Sequence, residues 1–188
     1  MDKKKVEKLI ADLLKELNLS TSDDIQKNTP KRVTSMFEDI FKDIARDPKE
    51  GVNLFKVRMG NQVIIIRNIP FFSFCEDHLL PFFGSVDIAY IPHNGVVTGF
   101  SNFFTIVKII SRRLYLQERL TEEIADTIEG ILHPVGLMVI VRARHLCVEM
   151  RGEKPPNTET ITYTKRGNTE GIQFSERIGP LLNINSGN

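Results

Sequence analysis

Cysteine is scarce in this chain, with two in 188 residues. Two thiols far apart in sequence cannot build the disulfide framework on which small exported domains rely. Long apolar runs are missing too: none approaches the roughly 20 residues a membrane-spanning helix needs. Excess charge of either sign is lacking, since the formal net charge is +1. No global pull toward nucleic acid or an anionic membrane is therefore implied. No basic stripe with interleaved aromatics appears, and no solenoid repeat or low-complexity segment. The richest basic stretch, Lys3-Lys4-Lys5, falls within an amphipathic pattern and reads as its solvated face. It leads into acidic, periodic sequence rather than the apolar core of a signal peptide. The expectation is a cytoplasmic chain with neither a nucleic-acid nor a membrane partner.

What is present suits one domain with a sizeable core and a small extension, at 41% hydrophobic content over 188 residues. Val6, Leu9, Ile10, Leu13, Leu14 and Leu17 recur at helical spacing, which predicts a helix over roughly residues 2–18. Asn18 and Ser20-Thr21-Ser22 end it. Thr29-Pro30 reads as an N-cap followed by proline at the first helical position. Val33, Met36, Phe37, Ile40, Phe41 and Ile44 continue that second helix until Pro48 and Gly51. Residues 1–50 thus form an N-terminal helical extension, apolar along one side of each helix and in need of a partner surface. From Val52 the character changes. Strands are expected at Val63–Ile66, Val86–Ile91 and Leu137–Val141, and over 158–165, where four threonines alternate on one face. Helices are expected over roughly residues 101–117, and from a Thr121 cap to Leu132. This predicts an α+β domain over 51–170, an antiparallel sheet carrying helices on one face, and a loose tail over 171–188.

Both cysteines stand in polar company. Cys75-Glu76-Asp77-His78 sets a thiolate and an imidazole within reach of one ion across a tight turn, and His145-Leu146-Cys147 can add a third ligand. Two sulfurs and one nitrogen suit zinc, and three protein ligands leave a fourth position for water. The competing reading is two buried cysteines and a chance histidine. On a strand, His145 and Cys147 face the same side, so His145 is either a proton donor and acceptor beside the metal or an exposed strand histidine. His93 and His133, each beside a proline, read as structural. Glu118, expected at the end of the third helix, is either a solvated charge or an acceptor for an amidine-like edge such as guanine N1–H and its 2-amino group. Arg151 is either a surface charge or a bidentate phosphate ligand.

Several ordered stretches together resemble one family, GTP cyclohydrolase I. They are Asn28-Thr29-Pro30-Lys31-Arg32-Val33, Ser73 to Phe82, Ala89-Tyr90-Ile91-Pro92, Gln117-Glu118-Arg119-Leu120-Thr121 and His145 to Gly152. The resemblance implies a tunnelling fold, a toroidal homodecamer and active sites between subunits. It implies zinc on Cys75, His78 and Cys147, guanine anchored by Glu118 with help from Gln117, and proton transfer at His145. It implies triphosphate contacts from Arg32, Ser101 and Arg151. The implied chemistry is hydration of purine C8, ring opening, loss of C8 as formate and reclosure to a dihydropterin, a product that can feed folate or other pterins.

The chain departs from that pattern at three charged places. Two adjacent histidines in the family become Asp77-His78; Gly-Leu-Ser-Lys becomes Gly99-Phe100-Ser101-Asn102; and a following arginine becomes Thr105. Asp77 can accept a proton, hold a ring nitrogen through its acid form, or close the metal site as a fourth ligand. Losing two cations, each worth about 1.5–3 kcal/mol per phosphate bond, weakens the expected grip on triphosphate. Two alternatives to GTP hydrolysis therefore stand: a zinc hydrolase for a purine lacking the triphosphate, and a non-catalytic zinc and purine binder.

Overall fold

The β-branched run at 63–66 opens a strand more than twice that length. In the computed structural model, which describes residues 1–18, 22–58, 62–152 and 157–168, the chain divides into two units, Met1–Ala45 and Arg46–Asn188. The first holds α1 (Lys3–Glu16) and α2 (Asp23–Phe41). The second runs β1 (Leu54–Lys56), β2 (Ile64–Cys75), β3 (Pro81–Ile91), β4 (Val96–Thr98), α3 (Phe100–Ser111), β5 (Leu114–Tyr115), α4 (Gln117–Leu132), β6 (Gly136–His145), α5 (Leu146–Glu149) and β7 (Thr160–Gly167).

Strands β2, β3, β6 and β7 pair antiparallel, and β5 adds a short parallel edge, in the order β5-β2-β3-β6-β7. β1 and β4 form a separate two-stranded ladder. Successive strand residues point to opposite faces, and the core follows that rule. Phe82, Val86, Ile88 and Tyr90 of β3 and Leu137, Val139 and Val141 of β6 cluster with Phe103, Ile106 and Ile110 of α3 and Leu120, Ile124 and Ile128 of α4. The intervening Ala89, Met138 and Ile140 form a second, smaller cluster. The molecule is α+β, with helices against its main antiparallel sheet: the tunnelling fold.

Two local features set the register that carries the site. A bulge between Ile66 and Ile69 holds Asn68 at φ 58°, and its N–H donates to buried Asp87 at 2.8 Å. Asp87 is fully buried and paired with Arg142, so the charge is matched where desolvation is costliest. Further along, β3 and β6 press together at Gly84. A β-carbon there would stand 1.8 Å from the Arg142 carbonyl oxygen. Only glycine lets the strands close two residues before the Phe82–His145 pair.

Several expectations are corrected. The second helix does not begin at Thr29-Pro30. It starts at an N-cap, Ser22, whose hydroxyl accepts from Ile25, and Asp23 and Asp24 complement its dipole. Pro30 lies inside the helix, where it lacks the N–H that would donate one turn back. The third helix ends at Ser111, not near 117. Gln117-Glu118-Arg119 opens α4 instead, and Thr121 is not a cap but an interior residue whose hydroxyl donates to the Gln117 carbonyl at 2.8 Å. The last strand runs 160–167 rather than 158–165, and its threonines are the more buried side, with Ile161 and Tyr163 exposed. Part of the Ser20-Thr21-Ser22 stop and the tail at 171–188 lie outside the described residues.

Candidate active site

β2 ends at Cys75, and the chain reverses over the five residues 76–80 before β3 begins at Pro81. The Leu79 N–H donates to the Cys75 carbonyl at 2.9 Å, and the Cys75 N–H donates to the Leu80 carbonyl at 2.9 Å. Leu79 takes a left-handed φ of 53° to close the turn. This brings His78 Nδ1 to 3.5 Å from Cys75 Sγ. Cys147 arrives from α5, the single helical turn after β6. Since β2 and β6 both flank β3, the ends of the two strands meet. The expectation that His145 and Cys147 share one strand is therefore corrected: the strand stops at His145 and Cys147 is helical.

Donor atoms of Cys75, His78 and Cys147 lie within 4.8 Å of one another. A tetrahedral ion with metal–sulfur bonds of about 2.3 Å and metal–nitrogen bonds of about 2.0 Å has a sulfur–nitrogen edge of roughly 3.5 Å. The Cys75–His78 separation matches that edge, so the donor set fits the ion its chemistry suits. Both cysteines are buried and free of any disulfide, and His78 is exposed. Burial pushes the Cys147 thiol up from its ordinary value; the adjacent Cys75 sulfur adds to the shift, and Arg151 opposes it. Two buried sulfurs this close shed their protons when a cation sits between them.

The surroundings constrain the ligands. Arg119 of α4 grips Glu76 with two contacts of 2.8 and 3.1 Å, tying the ligand turn to the helix. Arg151 lies 3.3 Å from His78 Nε2. A neutral imidazole that gives its Nδ1 lone pair to a metal carries hydrogen on Nε2, so that guanidinium must then turn to another acceptor. Asp77 is exposed in the same turn and stands outside the three-residue group.

His145 sits opposite Phe82 in the β3–β6 register, and the two rings stack at 4.9 Å with parallel planes. Its Nε2 lies 2.7 Å from Gln117 Oε1. Gln117 is buried, and the two hydrogens of its amide nitrogen serve three acceptors, one of them shared: the Val141 carbonyl at 3.0 Å, the Thr160 carbonyl at 3.1 Å and Thr162 Oγ1 at 3.1 Å. Phe82, Thr160 and Thr162 went unnoticed in the sequence as site residues. The alternating threonines were the visible signal, but which partner they served depends on the packing of α4 on the sheet.

The remaining expected residues are dispersed over other elements. Glu118 is the exposed second residue of α4, beside buried Gln117. Ser101 is exposed in the first turn of α3. Asn102 Nδ2 donates to Thr98 Oγ1 at 2.6 Å, which donates in turn to the Asn53 carbonyl at 2.8 Å. Thr105 donates to the Ser101 carbonyl at 3.1 Å. Arg32 stands on α2 in the first unit, 4.0 Å from Asp24. His133 is the left-handed C-cap of α4, and the His93 carbonyl accepts from Val96 in a turn.

Fold and site together define a tunnelling-fold protein with a group of two thiols and one imidazole able to hold a metal. The family model for GTP cyclohydrolase I matches residues 6–177. GTP cyclohydrolase 1 of Thermoanaerobacter pseudethanolicus is 40% identical over 167 residues, covering 89% of each chain. GTP cyclohydrolase 1 of Streptococcus agalactiae serotype V is 41% identical over 166 residues, covering 88% of this chain and 89% of that one. A solved archaeosine synthase QueF-Like, in the apo form, aligns with 59% of this chain at a TM-score of 0.43 and 17% identity, covering 99% of that chain; the likeness is too weak to argue from. This chain belongs to the GTP cyclohydrolase I family and is a hydrolase of that type.

Proposed function

We propose that this protein is a zinc-dependent GTP cyclohydrolase I, which hydrolyses the imidazole ring of the guanine of GTP to give formate and 7,8-dihydroneopterin triphosphate. The observation that carries the reading is the convergence of the Cys75, His78 and Cys147 donor atoms within 4.8 Å of one another in a chain of that family. Bound there, zinc supplies Lewis acidity and acidifies coordinated water at neutral pH. His145, stacked on Phe82 and held by Gln117, is the proton-transfer group. Glu118 accepts from the guanine edge, and Ser101, Arg151 and Arg32 meet phosphate. Asp77, exposed beside the ligands, accepts or returns a proton. The catalytic domain is residues 51–170, working in a homodecamer with sites between subunits. Two free cysteines used as ligands suit a cytoplasmic setting. No helix among the described residues is long and apolar enough to cross a membrane.

A second reading has a specific observation behind it. Asn102 and Thr105 bond to the protein's own polar atoms, and neither brings a cation to the start of α3. A purine with fewer phosphates is the substrate that fits this. The deciding experiment incubates zinc-loaded protein with GTP, GMP and guanosine and measures formate and the fluorescent pterin formed on oxidation. Preferential turnover of GTP supports the first reading; turnover of GMP or guanosine in its place supports the second. Stoichiometric zinc with no product from any of the three removes both and leaves a non-catalytic binder.

A further inference from the structure

The buried hydrogen bonds around Gln117 have only one consistent set of directions. Backbone carbonyls of Val141 and Thr160 can accept but never donate, so the group facing them at 3.0 and 3.1 Å is the amide NH2 of Gln117. Turning the amide over would set its oxygen against two carbonyl oxygens in a buried site, a repulsive contact that forfeits both hydrogen bonds. The neighbouring hydroxyls agree. Thr121 gives its hydrogen to the Gln117 carbonyl at 2.8 Å. In the 2.6 Å contact between Thr121 and Thr162, Thr162 is therefore the donor. Its oxygen then remains open to the Gln117 amide at 3.1 Å. The circuit joins α4, β6 and β7, and it leaves Gln117 Oε1 aimed at His145 Nε2, 2.7 Å away. That oxygen can only accept, so His145 Nε2 carries hydrogen in every state that keeps the contact.

We infer that Gln117 is a positioning residue for His145: it fixes the ring's orientation and, in the neutral ring, its Nε2–H tautomer, so that Nδ1 is then the nitrogen that takes up and gives back a proton. Phe82 holds the plane of the same ring by stacking. The side-chain amide of Gln117 is fully engaged with β6, β7 and His145, so its role is to set up the histidine and not to grasp the purine. The inference rests on the reading of His145 as the proton-transfer group, and it extends the logic by which a third residue holds a catalytic imidazole in one tautomer.

Neutron diffraction from crystals of the zinc-loaded full chain, exchanged into deuterated buffer, tests the assignment directly. Deuterium is expected on His145 Nε2 and at both amide positions of Gln117. A deuterated Nδ1 with a bare Nε2 overturns it. Gln117→Leu is expected to lower kcat about 10–100-fold with KM unchanged; a raised KM with unchanged kcat would assign Gln117 to substrate binding and overturn the inference. If that variant does not fold, Thr162→Val serves, because it leaves both carbonyl acceptors in place, and the His145 deuterium pattern should then match wild type. Absence of formate from the wild-type enzyme, with deuterium found on Nε2, strikes the parent reading and leaves the tautomer standing.

Discussion

Cys147 is the residue through which the second half of the sheet reaches the metal group. It sits on α5 rather than on the strand, so one helical turn sets its sulfur beside Cys75 and His78. Replacing it with serine removes a soft ligand and leaves an incomplete set. Cys147→Ser is expected to lose metal and formate production together, while urea unfolding still shows a cooperative transition. Full activity without bound metal would refute the assignment. Two tyrosines make a separate prediction. Burial pushes Tyr90 up to about 12, and burial pushes Tyr115 up to about 12 with help from its hydrogen bond to Glu123. An unfolded tyrosine ionises near 10. The folded pKa is the higher, so the stabilisation is whole below pH 10 and is lost as pH rises toward 12. The urea midpoint should fall across that interval, and fall less in the Tyr90→Phe, Tyr115→Phe double variant. An equally steep decline in the variant would show that other groups control it.

At the scale of elements, α3 distinguishes the two substrate readings. Its first turns expose Phe100, Ser101 and Phe104, and Asn102 is drawn inward to Thr98. Restoring charge with the Asp77→His, Asn102→Lys, Thr105→Arg triple variant is expected to lower KM for GTP about tenfold or more, since each charged phosphate contact is worth about 1.5–3 kcal/mol. Titrating initial rates against GTP checks it, and an unchanged KM places triphosphate capture on other residues. Element boundaries also show what local sequence hides. Helical periodicity located α3 and α4 but joined α3 to the segment after it. The break there is made by β5, which pairs with the end of β2, a contact 40 residues apart in sequence. Thr29-Pro30 carries a valid local start signal, yet Ser22 with two acidic residues behind it starts the helix earlier, and the turns that follow carry the proline.

For the molecule as a whole, the exposed row on β7 has a consequence. Among the described residues β7 is an edge strand with Ile161 and Tyr163 exposed, and such an edge with apolar side chains favours association with another chain. Sedimentation of the zinc-loaded protein is expected to give a mass about ten times the 21.5 kDa of one chain, unchanged on dilution through the assay range. A fully active monomer would remove the proposal of sites between subunits. The sequence by itself determined the ligand types, the helical and strand periods, and the family, because thiolate, imidazole and hydrophobic pattern are properties of local chemistry. It did not determine that Gln117 belongs to His145, that Asn102 turns to Thr98, or that Cys147 leaves the strand. Those were decided by tertiary structure: a buried polar group must find its partner wherever packing puts one, and here the partners come from strands and helices distant along the chain.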